Sequence, residues 1–84
     1  MSDKNLPEIN TQETALNIIR LMRQNKIDNY DVMMTLHYSS PTNIYNWKNG
    51  KYLPNADSLV KLAYIFDCDI KDILVIDYPE GENK

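Results

Sequence analysis

"NYDVMMTLHYSSPTNIYNWKNG", Asn29–Gly50, decides how this chain is read. Its first part repeats apolar side chains at helical spacing, with Val32, Met33 and Leu36 facing inward. Asp28, just ahead, is a good N-cap. "HYSS" then breaks the periodicity and offers two hydroxyls as caps for whatever follows. Pro41 fits the first turn of a new helix, where its missing N–H costs little. That helix is predicted from about Pro41 to Asn49, and Gly50 stops it as a C-terminal cap.

The flanking sequence extends the helical pattern. Residues 1–9 hold a proline and no periodicity, and are predicted to be a flexible arm. Asn10 with Glu13 makes a helix-start signal of the capping-box kind. Helix 1 follows over roughly residues 11–25, with Ala15, Ile18 and Met22 on one face and Leu16, Ile19 and Leu21 widening it. Helix 2 is the short run "NYDVMMTL", and helix 3 is the run from Pro41. Asn55 caps helix 4, "ADSLVKLAYIFD", in which Leu59, Leu62, Ala63 and Phe66 give the strongest periodicity in the chain. Asp67 stands where helix 4 ends, and aspartate tolerates a left-handed conformation. Asp69 caps helix 5, with Asp72 three residues on and Ile70, Ile73 and Leu74 as its stripe. No segment shows sustained alternation. The fold class is therefore all-α with five helices, as one domain over 10–76, and 77–84 is an acidic C-terminal tail.

Charge separates this domain into thirds. The chain has 84 residues and a net charge of -3, which argues against indiscriminate binding to a polyanion. Yet residues 20–51 carry a net +3, against -2 for residues 1–19 and -4 for residues 52–84. The basic third contains the two central helices. One cysteine, Cys68, allows no internal disulfide and suits a reducing compartment. No apolar run approaches a membrane span, and the polar, acidic N-terminus is unlike a signal peptide. The expected location is the cytoplasm, with no membrane partner.

Two short helices joined by a tight turn form the helix-turn-helix pattern. At about 100° per residue, Ile44 and Trp47 of helix 3 point the same way. Thr42, Asn46 and Asn49 point the opposite way, with Asn43 and Tyr45 on the flanks. That outer face consists of short hydrogen-bonding side chains with almost no charge. Asparagine pairs in bidentate fashion with adenine in the major groove, and threonine brings a hydroxyl and a methyl suited to thymine. Ser39 and Ser40, with the free N–H groups of the helix start, suit a phosphate. Lys48 and Lys51 sit where they can neutralise phosphates at the other end.

From about Thr14 to Val75 the chain resembles the Xre/Cro-like helix-turn-helix repressors. The resemblance rests on "NIIRL", "IDNYDVMMTL", "SPTNIYNWKNG", "LPNADSLVKLAYIFD" and "DIKDIL". The run "IYNWKNGKYLP" is the most specific, since it joins recognition helix, Asn-Gly stop and proline at the family's spacing. The resemblance implies a lambda-repressor-like DNA-binding domain that binds double-stranded DNA as a homodimer on paired half-sites. It implies base contacts from Thr42, Asn43 and Asn46, with Ser39 and Ser40 leading in. It also implies phosphate contacts from Asn29, Tyr30, Asn49, Lys51 and Tyr52. Three departures stand out. The turn is one residue longer than usual and has His37 at the glycine position. Pro41 replaces a residue that often reads a base, and Asn29 replaces a glutamine.

A transcriptional regulator, in the form of a small bacterial or phage repressor, is the leading reading. The antitoxin of a toxin–antitoxin pair, with a toxin as protein partner, and an interaction module on the same scaffold are the alternatives. An enzyme is not expected, because no paired carboxylates, metal cluster, phosphate loop or nucleophile–base pair is visible. No cofactor or metal is expected either. His37 reads as a turn residue, Cys68 as a small buried side chain and Trp47 as core. Met22, Met33 and Met34 read as gap-filling core. Tyr45 is either a groove contact or an exposed ring over the loop. Leu74, Val75, Ile76 and Tyr78 are either core edge or dimer seam.

Overall fold

The computed structural model describes residues 6–79. Five helices follow one another: α1 (Thr11–Gln24), α2 (Asn29–Thr35), α3 (Thr42–Lys48), α4 (Ala56–Phe66) and α5 (Ile70–Ile73). Each start has a local cause. The Asn10 side chain accepts the Glu13 N–H at 2.8 Å, and Asn55 accepts the Ser58 N–H at 2.8 Å. Asp28 and Asp31 satisfy each other's backbone N–H groups in a reciprocal capping box. At α5 the Asp69 N–H donates to the Asp72 carboxylate at 3.0 Å.

The first four helices also end alike. Lys26, His37, Gly50 and Asp67 each take a positive φ, between 57° and 75°. In each case the next residue's N–H reaches back to a carbonyl one turn inside the helix: Ile27 to Met22, Tyr38 to Met33, Lys51 to Asn46, Cys68 to Ala63. This is the Schellman closure, which satisfies carbonyls that the helix leaves orphaned. His37, at the position where the resemblance implies glycine, thus takes the left-handed conformation. Lys26 carries no such signal in the sequence, and it adopts the same conformation because the closure requires it.

The core gathers Ile18, Leu21 and Met22 of α1, Val32 and Leu36 at α2, Ile44 and Trp47 of α3, Leu62, Ala63 and Phe66 of α4, and Ile73 of α5. Helix α1 packs against α3 and α5, α2 against α3, and α4 against α5. Leu16, expected to widen the inner face, is instead exposed. Two residues from Ile18 amount to about 200° of helix rotation, so Leu16 faces away. Met34 and Ile70 are exposed as well, and only Met22 and Met33 fill the core as expected.

Two short strands add to the helices. β1 (Glu8–Ile9) pairs antiparallel with β2 (Ile76–Asp77), where the sequence suggested a loose arm and a departing tail. Their pairing has tertiary causes. The Asn10 N–H donates to the Val75 carbonyl at 2.8 Å, and the Val75 N–H donates to the Thr14 hydroxyl at 2.9 Å. Asn17 of α1 also donates to the Asp72 and Ile73 carbonyls, at 2.8 and 2.9 Å, closing α5 from outside. Arm residues 1–5 and tail residues 80–84 lie outside the described residues.

Thr14 is fully buried although polar, and the Val75 bond explains it. Thr14→Val keeps the shape and removes the acceptor. The expected cost is about 1–2 kcal/mol. Chemical denaturation should read it, together with faster hydrogen exchange at the Val75 amide. An unchanged denaturation midpoint would refute the role given to this hydroxyl.

Candidate nucleic-acid interface

Helix α3 is held by its inner face. Ile44 and Trp47 are buried, and the Trp47 ring meets Tyr38 edge-on, with centroids 5.9 Å apart. The Tyr38 hydroxyl in turn bonds the Ser58 hydroxyl at 2.6 Å, which ties the turn before α3 to α4. The far end is also pinned. Gln12 of α1 donates to the Gly50 carbonyl at 3.1 Å. A Cβ at Gly50 would meet the end of the Gln12 side chain at 2.5–2.8 Å, which that flexible side chain can relieve by moving, so the φ of +75° is what favours glycine there.

The outer face is more divided than the wheel suggests. Thr42, Tyr45 and Asn49 are exposed, whereas Asn43 and Asn46 are half-buried. The cause is Tyr52, in the loop after α3. Its hydroxyl donates to Asn43 Oδ1 at 2.8 Å and accepts from Asn46 Nδ2 at 3.0 Å. The resemblance put Tyr52 among phosphate-holding residues, and nothing in the sequence linked it to the helix. The left-handed turn at Gly50 brings the chain back alongside α3, which no periodicity reveals.

The helix start differs from expectation. Pro41 takes the N-cap position, outside the first turn, and offers no side-chain bond. Ser40 stands in for it: its hydroxyl accepts the Thr42 N–H at 3.3 Å and donates to the Thr42 hydroxyl at 3.0 Å. Ser39 is exposed beside it.

At the other end, Lys48 donates to Asn29 Oδ1 at 2.8 Å and so links α3 to the first residue of α2. That bond was not foreseen. Asn29 is a neutral partner, so this bond sets no opposite charge against Lys48. Lys48, Asn29, Arg23 and the exposed Tyr30 line one cleft between α1, α2 and α3, with Asp28 as its one acidic side chain. Lys51 is exposed nearby. Among the described residues, the ion pairs Lys61–Asp57 and Lys71–Asp69 lie within α4 and at the start of α5, and neither includes a residue of α3. The α3 side therefore presents positive charge around a neutral, hydrogen-bonding strip.

Other chemistry finds little support. Burial pushes the Cys68 thiol up, and the neighbouring Asp72, Asp69 and Asp67 push it further, so it is a poor thiolate nucleophile at neutral pH. Cys68 is half-buried against the core. Among the described residues no group of three His, Cys, Asp or Glu side chains stands ready to hold a metal ion. No helix there is long and apolar enough to cross a membrane.

The family model described as the Cro/C1-type HTH DNA-binding domain matches residues 17–78. No curated protein and no solved structure matches the chain. The match spans α2, the turn and α3, together with α4, α5 and most of α1. This chain belongs to the Cro/C1-type HTH DNA-binding domain family.

Proposed function

We propose that this member of the Cro/C1-type family is a sequence-specific transcriptional regulator, acting as a repressor in a bacterium or phage. It binds double-stranded DNA as a two-fold homodimer and inserts α3 into the major groove of each half-site. The observation that carries this reading is the α3 face itself: an uncharged strip of hydroxyl, phenol and amide groups on a helix anchored from behind by Ile44 and Trp47. Base edges are read by such groups, and phosphates by cations. In this reading Thr42, Asn43, Tyr45 and Asn46 face bases. Ser39, Ser40, Asn29, Tyr30, Asn49 and Lys51 lie along the two backbones.

A band shift with fragments of the protein's own promoter region tests the proposal. Tighter binding to one fragment than to random DNA supports it. Equal binding to all DNA would support the rival reading, an interaction module on the same scaffold, which the net charge of -3 favours. Sedimentation of the bound complex tests the dimer, and two protomers on one site are expected.

Few cations stand near the face, so few phosphates can be neutralised. The affinity should fall gently with salt. A log–log slope near -7, that of a protein with about eight phosphate contacts, would contradict this.

A further inference from the structure

Two amides of α3 share one phenolic hydroxyl. Asn43 and Asn46 are three residues apart, so their side chains lie on one strip of the helix. Tyr52 reaches that strip from beyond the Gly50 turn, and its hydroxyl stands 2.8 Å from Asn43 Oδ1 and 3.0 Å from Asn46 Nδ2.

We propose that Tyr52 is a specificity-determining positioning residue, which fixes the edge that each asparagine amide offers to a base pair. This rests on the reading of α3 as the base-contacting helix. A phenolic hydroxyl carries one hydrogen and accepts through its lone pairs. It donates to a single carbonyl, so the two amides are held in opposite senses. Asn43 turns its oxygen toward the ring hydroxyl and its amino group away. Asn46 turns its amino group toward the hydroxyl and keeps Oδ1 and one N–H for a ligand.

The consequence is a difference between two identical side chains. Asn46 retains an acceptor and a donor, the pair that adenine N6 and N7 require. Asn43 presents its two donor hydrogens, which suit an acceptor edge such as guanine O6 and N7 or thymine O4. The half-site it selects has an adenine facing Asn46 and an acceptor-rich base facing Asn43. An unrestrained amide turns over freely and loses that freedom on binding, whereas these two are already oriented before DNA arrives. Tyr52 acts through the asparagines and itself reads no base.

Tyr52→Phe tests this. Tyr52 is 40% exposed and the variant keeps its ring, so the fold should survive. In the free protein, the side-chain NH2 resonances of Asn43 and Asn46 should shift while those of Asn17 stay in place. Site selection from a random DNA pool, run on both proteins, then reads specificity. Base discrimination should weaken about tenfold at the positions facing Asn43 and Asn46 and hold elsewhere, with the salt slope unchanged. A uniform loss of affinity with the same base profile and a shallower slope would make Tyr52 a phosphate contact and overturn the proposal. Identical motifs from both proteins would overturn it too, and leave the DNA reading intact. A wild-type pool that enriches no motif would sink the DNA reading and this inference together.

Discussion

Trp47→Ala leaves the protein without a cooperative melt, or with a melting temperature lower by roughly 12–40 °C. Trp47 is 3% exposed and is the largest side chain in the core cluster. Truncating a buried aromatic costs about 3–5 kcal/mol, through lost transfer free energy and the cavity left behind. A domain this small has on the order of 5 kcal/mol in total when it lies at the low end of the usual range. The damage also concentrates at the functional face. Tyr38 loses its edge-on partner, and its hydrogen bond to Ser58 is left to tie the turn before α3 to α4. Differential scanning calorimetry measures the loss. Trp47→Phe, which retains an aromatic ring in the pocket, should melt cooperatively at an intermediate temperature. A near wild-type melt for the alanine variant would show that α3 is anchored by something else.

Asn46→Ala separates reading from folding. The side chain is half-buried, and its bond is to an exposed-edge hydroxyl that keeps Asn43 as acceptor. The melt should therefore change little. Affinity for the preferred site should fall roughly 10- to 100-fold, the worth of one bidentate base contact. Affinity for random DNA should stay nearly constant, because that term comes from phosphates. Titrations at one fixed salt concentration give both numbers. An unchanged ratio between preferred and random DNA would remove Asn46 from the reading face.

The helices were legible because their signals are local. Asn10, Asp28, Asn55 and Asp69 each mark a helix start, and the observed ends fall within a residue or two of those expected. Gly50 and Asp67 mark ends for the same reason, since few residues tolerate the left-handed region. The inward pair on α3 followed from helical rotation alone. The strands did not, because two residues are too few to show alternation. They pair only once α5 brings Ile76–Asp77 back to Glu8–Ile9.

The candidate face divides along the same line. Spacing in the chain was enough to place Thr42 and Asn49 opposite Ile44 and Trp47, because they sit on one helix or, for Asn49, at its helical C-cap, and rotation per residue is constant. How Asn43 and Asn46 present their amides depends on Tyr52, a residue from another segment that returns through the Gly50 turn. The tie between Lys48 and Asn29 likewise depends on how α2 packs against α3. Hydrogen-bond orientation is set by where partners converge in space, and residue order carries that information only within about one helical turn.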